Sequence, residues 1–288
     1  MRILLTGREG QVARSLLERA ERRPELELVP AGRPEVDLAQ RGSVARVIRA
    51  LSPDIVINAA AYTAVDQAED EPDLALRLNA EAAGEAALAA REVGAAIIQL
   101  STDYVFDGQA SEPYAEDAAT NPLSAYGRSK LAGEAAVRAA NPDHMIVRTA
   151  WVFSPFGRNF VRTMVTAARE RDMLNVVDDQ HGCPTGALDL ADAILAITER
   201  WPLGSGQTYH LAGAGSASWF EVATEIMANC RRLGLPAAQV RPIRAADWPT
   251  KADRPPFAVL DCSRIERELG IRLPDWRQSL ALAIERLA

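Results

Sequence analysis

The sequence predicts an α/β protein, with a doubly wound parallel sheet over residues 1–153 and a smaller mixed α/β region over 154–288. Three observations lead there. Short runs rich in Ile, Val and Leu recur through the first half without polar alternation, as strands covered on both faces do. Longer helix-favouring segments separate those runs, the alternation that produces a parallel sheet flanked by helices. A glycine-spaced turn also joins the first run to the first helical segment, the junction at which such sheets take a phosphate.

Taken in order, "RILLTG" (2–7) is the first strand and leads into a helix near 10–22. "LELVPA" (26–31) precedes a helix near 42–51, and "DIVINAA" (54–60) one near 72–93. "AAIIQLS" (95–101) is followed by the helix of "SAYGRSKLAGE" (124–134), and "HMIVRTAWVF" (144–153) closes the first region. Beyond it come a helix near 159–171, "LNVVDD", a helix near 187–200, "QTYHLAG", a helix near 218–233 and a proline-rich passage at 242–256. This looser stretch is expected to bind substrate over the carboxyl ends of the strands and is free to return a strand or helix to the first domain.

At 288 residues with 48% apolar and 25% charged side chains, the chain suits one large or two closely joined globular domains. A net charge of -7, with Arg and Glu interspersed, argues against nucleic acid as a partner. Cys183, Cys230 and Cys262 are too scattered for a disulfide framework or a zinc site. No apolar run approaches the roughly 20 residues of a membrane helix, and the chain opens directly on a strand, so no membrane partner is expected and the reading is cytoplasmic.

"TGREGQVARSL" places Gly7, Gly10 and Ala13 at three-residue spacing behind the first strand, with Gln11 and Val12 opening the helix. Gly7 permits a tight turn, Gly10 lets backbone amides approach a pyrophosphate, and Ala13 allows close helix packing, a Rossmann-type dinucleotide site. The second strand ends in "LVPAGRP" without an acidic residue for a ribose 2'-hydroxyl, while Arg33 offers a partner for a 2'-phosphate. NADPH is therefore expected, with NADH as the alternative. Ala59, Ala60 and Ala61 are small enough to let a cofactor lie against the sheet.

Tyr126 and Lys130 stand four apart in a helix-favouring stretch, hence on one face. Reducing a ketone builds negative charge on oxygen, which calls for hydrogen bonds and then a proton. An ammonium one turn from a phenol is expected to lower its pKa toward that task.

"TGREGQVA", "NAAAYTAVDQAE", "STDYVFDG", "YGRSK", "RTAWVF", "DDQHGCPTG", "YHLAG", "DRPPFAVLDCSRI" and "LPDWRQSL" together resemble the dTDP-4-dehydrorhamnose reductase family of extended short-chain dehydrogenase/reductases, nearly end to end. The resemblance implies NAD(P)H-dependent reduction of the 4-keto group of dTDP-4-dehydro-β-L-rhamnose to dTDP-L-rhamnose, a precursor of cell-surface polysaccharide. It implies Thr102, Tyr126 and Lys130 as the catalytic set, with Lys130 also on the nicotinamide ribose and Thr102 on the carbonyl oxygen. Asp37 and Leu38 resemble the pair flanking adenine. Tyr62, Thr63, Val65, Asp103 and Tyr104 would line the sugar nucleotide, and Trp151 would cover the deoxysugar's apolar face. Arg158, Asn159 and Arg254 are candidates for the diphosphate and nucleotide. Asn79 is expected to tie helix to sheet, His181 to shape the pocket as a loop residue, and Cys183 to serve packing.

One departure concerns assembly. Some family members form a dimer bridged by a divalent metal through glutamates; the matching positions here are Ser15 and Leu188, neither of them a ligand for such an ion. No metal is expected, and monomer and homodimer both stay open. Two rival functions share the fold. One is a non-catalytic regulatory subunit like that of methionine adenosyltransferase, disfavoured by the retained Thr102, Tyr126 and Lys130. The other is a different NAD(P)-dependent sugar-nucleotide reductase, epimerase or dehydratase; the dehydratases carry Asp-Glu after the active Thr, where this chain has Asp103-Tyr104.

Overall fold

The computed structural model describes residues 1–288. Strand and helix alternate through β1 (Arg2–Thr6), α1 (Gln11–Ala20), β2 (Glu27–Ala31), α2 (Ser43–Leu51), β3 (Ile55–Asn58), α3 (Pro72–Leu76), α4 (Ala82–Glu92), β4 (Ala96–Thr102), α5 (Ala125–Ala140) and β5 (His144–Thr149). The chain continues with β6 (Val152–Phe153), α6 (Phe160–Ala167), β7 (Met173–Val177), β8 (His181–Gly182), β9 (Thr185–Gly186), α7 (Ala187–Glu199), β10 (Gln207–His210), β11 (Ala217–Ser218), α8 (Trp219–Arg232), β12 (Gln239–Ile243), α9 (Ser263–Leu269) and α10 (Trp276–Glu285).

Six strands in the order β10-β5-β4-β3-β1-β2 form one sheet, and every pairing in it is parallel. Alternate residues serve opposite faces. Ile3, Leu5, Ile57, Ile98 and Val147 join a core with α1 and α7, while Leu4, Val56, Ile97 and Ile146 join one with α2, α4 and α5. Both faces being dry explains the unbroken apolar runs, each fully buried Leu or Ile stabilising by roughly 1.5–3 kcal/mol. The edge strand β10 and helix α7 come from the second half of the chain, so residues beyond 187 complete the first layer.

Polar side chains also cross the sheet. Thr6 Oγ1 donates to Asn58 Oδ1 (2.6 Å), Asn58 Nδ2 to Gln99 Oε1 (2.6 Å), and Gln99 Nε2 to the Leu100 carbonyl (2.8 Å). The second region packs α6, α8 and α10 around its own apolar core, with the short pairs β7/β12, β8/β11 and β6/β9.

Three elements differ from expectation. The helix near 72–93 is interrupted by a π turn at Arg77–Glu81, where buried Asn79 turns its amide to the Tyr62 backbone and to Ser129 of α5 rather than to the sheet. The run 144–153 is two strands, because Trp151 adopts φ 45°, outside any strand conformation. The helix near 159–171 is confined to Phe160–Ala167.

Candidate active site

Thr102 ends β4, while Tyr126 and Lys130 lie in the first turns of α5, and each of the three is at most 9% exposed. The start of α5 is pinned twice: Ser124 Oγ accepts from Gly127 N (3.1 Å), and Ala125 N donates to Glu69 Oε1 (2.6 Å). Gly127 is required there, since a Cβ would stand 2.3 Å from the Tyr104 carbonyl oxygen. The contact presses Asp103–Val105, a 3₁₀ turn, onto the helix. Lys130 Nζ donates to the Leu100 carbonyl at 2.6 Å, the acceptor that also receives Gln99.

The electrostatics correct one expectation. Tyr126 is not acidified by Lys130: burial pushes its phenol well above the ordinary value, against the opposing pull of the Thr102 hydroxyl. Water that would solvate phenolate is excluded, and the ammonium is turned to a carbonyl. The phenol is consequently protonated at neutral pH, as a proton donor must be. Burial also draws Lys130 down to about 8, opposed by the Glu134 carboxylate. Asp103 is pushed up to about 7 by burial, although Thr102 Oγ1 donates to its Oδ1 at 2.9 Å; its Oδ2 is buried and has no partner.

The dinucleotide end is assembled from Gly7 to Val12. Gly7 has φ 96°, and a Cβ there would meet Ala13 and Ala60 at 3.7 Å, so the turn after β1 lies against the small residues after β3. Ala59, Ala60 and Ala61 are half-buried. Gly10 caps α1 without a side-chain bond, and the first helical bond runs from Arg14 N to Gly10 O. The N–H groups of Gln11, Val12 and Ala13 are thus left for an anion, the arrangement a dinucleotide's pyrophosphate needs. At the end of β2, exposed Arg33 makes no ion pair, Asp37 Oδ1 accepts from Ala39 N (3.0 Å), and Leu38 is buried. Arg8 reaches the same place: its side chain packs over Gly32 and pairs with Glu35 at 2.8 Å. The motif spacing contained this second cation, but only the fold brings it to the β2 end.

Tyr62, Val65 and Tyr104 pack against the apolar cluster of Ala68, Ala75, Ala125 and Tyr126, and Thr63 is exposed. Tyr62 directs its hydroxyl to Glu71 Oε2 (2.8 Å). Trp151 stacks on Trp219, centroids 3.5 Å apart at 4°, which joins the strand ends to α8. Arg254 forms a bidentate pair with Asp66 (3.0 and 2.7 Å) and also donates to the Ala252 carbonyl (3.2 Å). Asp66 further accepts from Ala252 N (3.1 Å), and Lys251 pairs with Asp70, so residues 251–254 strap the second region to the loop after β3.

The remaining expected residues lie farther along the chain. Asn159 is engaged throughout: Nδ2 donates to Gln11 Oε1, Ser154 O and Phe156 O, while Oδ1 caps α6 at Arg162 N. Its amide ties the start of α6 to α1. Arg158 and His181 are exposed, and Cys183 is buried with its thiol against the Leu260 backbone. Ser15 is fully buried and bonds the Gln11 carbonyl, Leu188 is half-buried, and no three His, Cys, Asp or Glu side chains converge as a metal site. A cleft of about 620 Å³ opens elsewhere, along Cys183, Ala212, Asp261, Cys262 and Arg272, and none of Thr102, Tyr126 or Lys130 lines it. No helix is long and apolar enough to cross a membrane.

Comparison with known proteins agrees with this geometry. The family model described as "RmlD substrate binding domain" matches residues 1–288. A dTDP-4-dehydrorhamnose reductase of Sinorhizobium fredii is 46% identical over 283 residues, covering 97% of this chain and 95% of that protein. The crystal structure of a dTDP-4-dehydrorhamnose reductase from Clostridium acetobutylicum superposes with a TM-score of 0.93 at 39% identity, covering 100% of this chain and 99% of that one. That of the Bacillus anthracis enzyme, in complex with NADP, gives 0.92 at 34% identity, covering 99% and 98%. With the motif set, the parallel sheet and the full-length matches in accord, this chain belongs to the dTDP-4-dehydrorhamnose reductase family.

Proposed function

We propose that this protein reduces dTDP-4-dehydro-β-L-rhamnose to dTDP-L-rhamnose, with NADPH as reductant and Tyr126 as proton donor. The observation that carries the reading is the placing of buried Thr102, Tyr126 and Lys130 at the carboxyl end of β4, on the same edge of the parallel sheet as the turn from β1 into the uncapped start of α1. NADPH, when bound, supplies the hydride that adds to C4 of the sugar. The rest is the work of the chain. The free N–H groups opening α1 hold the pyrophosphate, Lys130 holds the nicotinamide ribose, and Arg8 and Arg33 receive the 2'-phosphate. Thr102 turns its single O–H from Asp103 to the carbonyl oxygen and Tyr126 hands that oxygen a proton, so that the ketone becomes a secondary alcohol. The phenolate left behind takes up a proton again before the next turnover. The Tyr126, Tyr104, Val65 and Trp151 walls exclude water, which strengthens each of these interactions.

The experiment is direct. Purified protein is mixed with NADPH, dTDP-4-dehydro-6-deoxyglucose and the matching epimerase, and absorbance at the reduced nicotinamide band is followed. Decay that requires all components, with dTDP-L-rhamnose as product, is expected. Decay only with a different 4-ketosugar nucleotide would reassign the substrate, and no decay with any would leave the chain a dinucleotide binder.

A further inference from the structure

We infer that Glu134 is a positioning residue for this reduction: it keeps the Lys130 side chain an ammonium and holds the helix carrying it in register with the strand carrying Thr102. The inference rests on the proposed reaction for its purpose, though not for its geometry. Glu134 lies one turn beyond Lys130 on the same face of α5, and its side chain is 0% exposed. A buried carboxylate requires partners, and this one is fully supplied. It accepts from Ser101 Oγ (2.6 Å), from Arg148 Nε and Nη2 (2.8 Å each) and from Arg138 Nη2 (3.0 Å). Ser101 is the residue before Thr102, and Arg148 stands opposite Ser101 in the β4–β5 register. Arg138 reaches onward to Thr208 of β10 (2.9 Å). One carboxylate therefore ties α5 to β4, β5 and β10 just where Leu100 receives Lys130.

Cohesion alone does not account for it, because buried ion pairs replaced by well-packed apolar residues commonly leave stability unchanged or improved. What apolar residues lack is negative charge beside an ammonium. The other charged or titratable groups around this corner are Arg138 and Tyr126 on α5, Arg148 on β5, His210 on β10, Asp103 after β4, Glu69 at the helix start and Glu116 beneath His210. His210, held neutral by burial, lies with Nε2 3.5 Å from Arg148. Burial draws the Lys130 charge down and the Glu134 carboxylate one turn away opposes it, while Arg148 is directed at the carboxylate.

The sequence makes the test unusually clean, since its only lysines are Lys130 and Lys251. With lysine isotopically labelled, NMR reads the Lys130 titration directly, and exposed Lys251 serves as internal control. Glu134→Gln is compared with the double variant Glu134→Gln/Arg148→Met, which removes the buried Arg148 cation together with its carboxylate partner. In both, the Lys130 midpoint is expected to fall by about one pH unit or more, with Lys251 unmoved. The alkaline limb of kcat against pH should fall with it. A wild-type Lys130 midpoint in either folded variant, accompanied only by a lower melting temperature, would reduce Glu134 to a structural tie. Because the titration needs no turnover, a shifted midpoint in a protein that oxidises no NADPH would overturn the proposed reaction and leave the hold on Lys130 standing.

Discussion

The rings of Tyr104 and Tyr126 meet at 75° with centroids 5.6 Å apart, and the Arg254 guanidinium of the second region, paired with Asp66, lies close enough for its charge to act on the Tyr104 phenol. A single aromatic residue thus stands between Tyr126 and the strap at 251–254, and it follows Thr102 by two positions.

Tyr126→Phe keeps the ring contact and removes the proton. Turnover should fall on the order of a hundredfold or more, the usual size of a lost general acid, with the melting temperature near wild type. Steady-state rates at saturating NADPH and sugar nucleotide check this; turnover close to wild type would remove Tyr126 from the reaction.

Arg254→Met separates binding from stability. Its pair with Asp66 is partly exposed, the side chains being 21% and 47% accessible, so its loss should alter unfolding free energy by about 1 kcal/mol or less. The KM for the sugar nucleotide should nevertheless rise on the order of tenfold, about 1.4 kcal/mol of binding, with KM for NADPH unchanged. Equal rises in both would count against a role at the diphosphate.

Asp103 predicts a pH dependence of stability with a definite sign. Its folded pKa, about 7, lies above the unfolded value of 3.8. The folded state therefore binds the extra proton, and stability is fully present below about pH 4 and lost as pH rises to about 7. Full development would amount to roughly 4 kcal/mol. Asp103→Asn cannot ionise, so its melting temperature relative to wild type should be higher at pH 8 than at pH 4. Parallel curves for the two proteins between those limits would show that Asp103 does not titrate there.

Arg8→Ala and Arg33→Ala address the cofactor's second phosphate. Each should raise KM for NADPH on the order of tenfold, the loss of a charge-assisted pair, and leave KM for NADH nearly unchanged. Matching effects on both cofactors would place these arginines at a site other than the 2'-phosphate.

Much of this was legible in the residues. The apolar runs of β1, β3 and β4 announce strands buried on both faces, and Gly7 and Gly10 mark the phosphate turn, because these features depend on neighbours in sequence. Tyr126 and Lys130 are legible for the same reason, being one helical turn apart. Trp151 breaking its strand and Asn159 serving as a cap were not, since φ 45° and a fully engaged amide result from packing against Trp219 and Gln11.

By itself, then, the sequence determined the order of strands and helices, the glycine turn and the spacing of phenol and ammonium, all of them short-range consequences of backbone geometry and side-chain period. Only the tertiary structure decided that Arg8 joins Arg33, that Arg254 locks onto Asp66, and that Glu134 stands behind Lys130 with Ser101 and Arg148 on it. Such contacts join residues from separate strands and helices, and desolvation in that shared interior, which no local pattern encodes, raises Tyr126 above its ordinary pKa where spacing alone suggested the reverse.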